Sequence, residues 1–270
     1  MPGPSPTELS GTPQPVSVGA SLRRGASVVV GLGLAALTKG KALLAVVKLL
    51  PAGKLMLTSL SMFAMVAFEA QRTGLWFAVG FVLLILLHEL GHGYAMKRAG
   101  VESGWPVFIP FIGALIAMKT PPADRNVQAQ IAYGGPLAGT VASLVVAALG
   151  LHFEERALLA LAYTGFYLNL FNLVPISPLD GGRIAEAFSR TAWIVGIGLI
   201  ALMFFTTGAP QLLLIAGLAL PRLFRGRSDV AAPERELSPE LRRSWAVRYF
   251  GLAAFLGAAI YFCGAWIGRA

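Results

Sequence analysis

The chain has 270 residues, 56% of them hydrophobic and only 13% charged, with 22 Lys and Arg against 13 Asp and Glu and a net charge of +9. Soluble domains carry about 25% charged residues, so a soluble globule is excluded and an all-α polytopic membrane protein is expected. The basic excess does not imply nucleic acid, because Lys and Arg gather at the ends of apolar runs, as the positive-inside rule expects.

Residues 1–25 are rich in Pro, Gly, Ser and Thr and close on Arg23 and Arg24, the composition of a disordered N-terminal tail. Pro2, Pro4 and Pro6, without an early basic stretch, argue against a secretory signal. Residues 26–54 read as a membrane-associated segment: Ser27 to Thr38 is apolar, and Lys39, Lys41 and Lys48 break the apolar pattern beyond it. An interfacial amphipathic helix with snorkelling lysines fits best, and a full span is the second choice. Residues 55–224 form the intramembrane core. It opens with a short span, Leu55 to Ala70, and a tight turn over 71–74.

From Leu75 to Met96 the chain is an apolar run, interrupted by Leu87-His88-Glu89-Leu90-Gly91-His92-Gly93. Twenty-two helical residues reach roughly 33 Å, about the thickness of bilayer hydrocarbon. His88 and His92 are four apart, so a helix stacks their imidazoles on one face where they can grip one metal ion. Glu89, about 100° further round, can touch a water there without being a ligand. This is the H-E-x-x-H zinc-hydrolase pattern, with the Glu as general base. Ionisable groups at membrane depth cost about 2.5–3.5 kcal/mol each on insertion scales, which favours function over chance. Gly91 and Gly93 leave the helix surface thin enough for another backbone to come close.

Gly104 to Met118 holds two prolines and many β-formers and is too broken for a helix. It reads as a β-hairpin or a re-entrant segment beside the metal, an ordinary interfacial loop being the alternative. Gln128 to Leu151 is the next span, with small residues in Gly134-Gly135-Pro136-Leu137-Ala138-Gly139 for close helix contact. His152 comes next, as a solvated loop histidine. Ala157 to Val174 returns across the membrane, and Trp193–Thr207 with Gln211–Phe224 makes a helical hairpin. Residues 225–246 are a charged linker, and residues 247–270 carry the C-terminal span with its lone cysteine, Cys263, as a small hydrophobe. The total is about six spans. Lys97, Arg98, Lys119, Arg125, Arg183, Arg190 and the cluster from Arg222 to Arg243 fall on the side where the motif helix ends, against Arg72, Arg156 and Arg269 opposite. Positive-inside topology then turns the metal site towards the cytoplasm.

A catalytic zinc needs a third protein ligand. His152 lies on the wrong face and Glu186 past the span. Asp180 ends a stretch returning to the correct face, where Pro175 and Pro178 break the helix and Gly181-Gly182 free the backbone. With Glu89 and Asp180 offsetting a divalent ion the cluster is formally neutral, which an apolar medium favours.

HELGH at 88–92, GGPLAG at 134–139 and NLVPISPLDGG at 172–182 together resemble the site-2 protease family, the intramembrane zinc metalloproteases, over about residues 75 to 190. The resemblance implies one Zn2+ per chain held by His88, His92 and Asp180, with Glu89 as general base on zinc-activated water. It implies that Asn172 holds the substrate or the oxyanion, and that the substrate is a membrane protein cut within or near a transmembrane helix. The chain shows no room for a PDZ domain between its spans and no long C-terminal nucleotide-sensing domain. Three rivals use the same region. A metal transporter or sensor needs a polar path on both sides of the metal, and the far half of the motif helix is apolar. A catalytically silent scaffold has no use for Glu89. A protease with a glutamate as third ligand would need Glu186, which lies too far along the chain.

Overall fold

The computed structural model describes residues 53–110, 113–189, 191–224 and 237–269. The expected tail, the membrane-associated segment up to residue 52 and residues 225–236 of the expected linker lie outside the described residues. Eight helices and one two-stranded sheet are described: α1 Gly53–Thr73, α2 Leu75–Arg98, β1 Val107–Ile109, β2 Gly113–Leu115, α3 Arg125–His152, α4 Arg156–Asn172, α5 Asp180–Ala185, α6 Ala192–Thr207, α7 Pro210–Phe224 and α8 Pro239–Arg269. Three of them are long and apolar enough to cross a membrane: α2, α3 and α8. The apolar α6 is shorter, at 16 residues.

The turn expected over 71–74 is a single residue. Gly74 sits at φ +84, where glycine alone is unstrained, and its N–H bonds the Ala70 carbonyl at 3.0 Å. Gln71 and Thr73 stay helical and donate to the carbonyls of Ala67 and Glu69. Asp124 caps α3, accepting the Val127 N–H at 2.8 Å, and Glu155 caps α4 at Ala157. Gly208 at φ +66 ends α6 before Pro210 opens α7, as the hairpin reading requires. The final helix starts earlier than Val247. Ser238 bonds the Leu241 N–H, Pro239 takes the first helical position and Glu240 lies in the first turn, so residues 239–246 of the expected linker form helix.

Helix α2 packs against α3, α3 against α4, and α8 against α4, so the motif helix lies inside the bundle. The largest buried cluster joins Ala129, Ala132, Phe166, Trp245, Tyr249 and Leu256 from α3, α4 and α8. Gly104 to Met118 contains the hairpin. β1 and β2 are antiparallel, with Val107 opposite Leu115, Phe108 opposite Ala114 and Ile109 opposite Gly113. Helix α1 latches β1: Thr58 Oγ1 donates to the Pro106 carbonyl at 2.6 Å, and the Phe108 N–H donates to Ser61 Oγ at 3.2 Å. β2 lies against α2, beside the histidine motif.

Candidate metal centre

The helical period of α2 turns His88, Glu89, Gly91 and His92 inward, where all are buried. A glycine crossing brings α3 this close. A Cβ on Gly91 would overlap the Gly134 carbonyl, and one on Gly134 would meet Gly91 and Ala95. Gly135 faces the two imidazoles, and a Cβ there would run into His88 and His92 Nε2. Gly93 meets only Ile116 at ordinary contact distance, so of the two motif glycines Gly91 alone serves a backbone approach.

Beyond α4, Pro175 and Pro178 prevent helix continuation, and the chain folds back through bonds from Ile176 N–H to the Val174 carbonyl and from Leu179 N–H to that of Ile176. Asp180 is therefore the first residue of the short α5, not the last of a returning span. Gly181 packs on the Leu173 and Val174 carbonyls at the end of α4, too close for any side chain. Tyr249 of α8 donates its hydroxyl to the same Leu173 carbonyl. The turn carrying Asp180 is thus fixed from both sides.

Three donor atoms converge. His88 Nε2 and His92 Nε2 are 3.1 Å apart, and Asp180 Oδ2 lies 3.2 Å from each. Among the described residues, they form the one group of three or more potential metal ligands within reach of a single ion. Both imidazoles are held from behind. His88 Nδ1–H donates to Asn169 Oδ1 at 2.8 Å, and His92 Nδ1–H donates to the Ile131 carbonyl at 2.8 Å. The Asn169 amide is locked by its Nδ2 donating to the Gly165 carbonyl at 2.7 Å, which leaves Oδ1 to face His88. Each Nδ1 therefore carries the proton and each Nε2 a bare lone pair. Two lone pairs and a carboxylate oxygen aimed at one point in an apolar interior demand a cation. Tetrahedral zinc with bonds of about 2.0–2.1 Å requires donors about 3.3 Å apart, close to what is found. The donor set fits zinc.

Glu89 is buried beside this set but outside it, with His92, His88, Asp180 and Arg183 as charged neighbours. Asn172 is the last residue of α4, half-buried, one turn beyond Asn169, and its amide makes no hydrogen bond to any described residue. Glu186 stands apart, its carboxylate accepting from Gln128 Nε2 at 3.2 Å, and His152 is exposed at the end of α3. Sequence reasoning missed Asn169. The available signal was a second amide one turn before Asn172 in an otherwise apolar span.

Fold and site define a membrane protein with a buried two-histidine, one-aspartate metal centre and a glutamate at its edge. Residues 76–155, spanning α2, the hairpin and α3, match the model of peptidase family M50, which bears out the resemblance to the site-2 proteases. A zinc metalloprotease of Methanocaldococcus jannaschii is 32% identical over 130 residues, covering 45% of this chain and 38% of the relative. Rip3 of Mycobacterium tuberculosis, which carries a zinc-metalloprotease name, is 34% identical over 119 residues, 41% of this chain and 30% of the relative. EGY1 of Arabidopsis thaliana, whose name adds a chloroplastic location, is 28% identical over 165 residues, 43% of this chain and 30% of the relative. The matches span about a third of each relative's length.

Proposed function

We propose that the chain is an intramembrane zinc metalloprotease that hydrolyses a peptide bond within or near a transmembrane segment of a membrane-protein substrate. One observation carries this reading: three bare donor atoms converge on a point in an apolar bundle while Glu89 stands beside them, unligated. Zinc, when bound there, supplies an acidified water and a Lewis acid for the scissile carbonyl. Glu89 takes the proton from the attacking water and hands it to the leaving amine. Asn172 has amide donors to spare and steadies either the oxyanion or the substrate backbone. His88, His92 and Asp180 hold the ion, and Asn169 and the Ile131 carbonyl set the tautomers of the two histidines.

A substrate helix must unwind before cleavage, and each backbone group exposed in lipid costs several kcal/mol. The hairpin offers those groups partners. In an antiparallel ladder, the N–H and C=O of one residue point the same way. The Phe108 N–H faces α1, so Ala114 opposite it directs its own N–H and C=O to the outer side of β2. We read that edge as the re-entrant clamp that adds the substrate as a strand. The further reading is about six spans with the metal on the cytoplasmic side.

The test pairs metal analysis with comparison of membrane proteomes. Glu89→Gln is expected to keep zinc yet lose cleavage by at least about 100-fold, the lower range for a general base. Asp180→Ala loses zinc, and Glu186→Ala and His152→Ala keep it. Zinc lost with Glu89, or kept without Asp180, reverses these roles. Identical membrane-protein fragments in wild-type and Glu89→Gln cells reject the protease.

A further inference from the structure

Where α3 and α8 begin, they border a cleft lined by Arg125, Glu186, Phe188, Ser189, Leu237 and Arg242. Arg125 is the first residue of α3, half-buried, and its guanidinium makes neither hydrogen bond nor ion pair with any described residue. Arg242 donates one bond to the Phe188 carbonyl at 3.2 Å, which holds its guanidinium at the cleft and leaves its other donors available. Among the described residues of the lining, two guanidiniums against the Glu186 carboxylate leave an excess of one positive charge. Phe188 and Leu237 add apolar surface. Both helices begin polar here and turn apolar further on, α3 from Ile131 and α8 from Tyr249, and both are long and apolar enough to cross a membrane, so a bilayer headgroup is expected at the level of the cleft. Beside the cleft, the buried Trp245 donates its Nε1–H to Asn126 at 2.9 Å and ties the start of α8 to that of α3.

We propose that this cleft binds the phosphodiester of a monoanionic phospholipid headgroup. The two arginine forks take the phosphate oxygens, and the Ser189 hydroxyl supplies a third donor. One negative charge matches the single excess positive charge. Basic pockets between membrane helices at this depth recognise headgroups by this chemistry. The bound lipid bridges the start of α3, the residues just beyond α5, and α8. It therefore ties bilayer composition to the short helix that begins with Asp180, only six residues before Glu186. The binding does not depend on proteolytic activity.

The experiment uses the purified full chain in detergent with equimolar phosphatidylglycerol and phosphatidylcholine of matched acyl chains, and native mass spectrometry of the retained lipid. The wild type is expected to hold one phosphatidylglycerol with about fivefold preference, the yield of one excess basic charge at a membrane surface. Arg125→Gln combined with Arg242→Gln removes the preference. Ser189→Asp removes it too, with both arginines in place, so the outcome does not hang on one variant folding. Arg243→Gln, exposed next door on α8, keeps it. Helical content and zinc retention certify each variant's fold. No preference in the wild type, a preference that survives in a folded cleft variant, or equal loss in Arg243→Gln overturns the proposal. Displacement of the lipid by millimolar inorganic phosphate overturns it in favour of a free-phosphate site.

Discussion

Two imidazole nitrogens 3.1 Å apart, each left unprotonated by the acceptor behind its ring, repel each other until a cation lies between them. Asn169 therefore stores part of the metal affinity in a bond that never touches the metal. Replacing it with leucine frees the His88 ring to rotate and change tautomer. The expected loss is about 10–100-fold in zinc affinity, typical of an outer-sphere partner. Asn169→Asp, which still accepts from Nδ1, keeps most of it. Competition with a zinc chelator on purified protein measures both, and an unchanged affinity in Asn169→Leu removes the role. His88, Glu89 and His92 were legible because their spacing is local. Asp180 was legible because prolines and glycines bracket this carboxylate where the chain turns back after α4. Asn169 was not, because its partner lies 81 residues away on another helix and leaves no periodic trace. Gly91 and Gly93 look alike in sequence, and only the position of α3 separates them.

At the scale of elements, the hairpin makes a prediction by parity. Proline at Ala114 deletes an N–H that points away from β1, so the β1–β2 ladder survives. Ile116, two residues on, has the same outward parity. Ala114→Pro and Ile116→Pro are expected to keep zinc and expression while cleavage of a membrane substrate falls sharply. Leu115→Pro removes a donor that faces β1 and should reduce the folded yield instead. Full cleavage by well-expressed protein at both 114 and 116 would leave the stretch an interfacial loop. The broken, β-rich composition of 104–118 announced this element. The start of α8 was announced as well, by Ser238-Pro239-Glu240, but the surrounding charge run masked it as solvated linker. Helix α5 was hidden for another reason. Six residues with two glycines have little intrinsic helicity, and the helix exists because it packs against α3, α6 and α8.

At the scale of the whole molecule, three ends meet. Ala95 and Met96 near the close of α2 pack with Val127 and Ile131 at the opening of α3, and Trp245 joins α8 to Asn126. Lys97, Arg98, Arg125, Arg242 and Arg243 consequently share one end of the bundle, whereas Glu154, Glu155 and Arg156 lie at the turn from α3 to α4. By the positive-inside rule, a basic end opposed to a mixed-charge turn predicts a bundle with its basic end in the cytoplasm. The check is labelling by a membrane-impermeant thiol reagent in a Cys263→Ser background. Phe153→Cys, exposed after α3, is expected to react in intact cells, and Glu240→Cys, exposed at the start of α8, only after permeabilisation. The reverse pattern would turn the bundle over. The metal site and the Arg125–Arg242 cleft would then both face the other compartment, because α2, α3 and α8 carry them together.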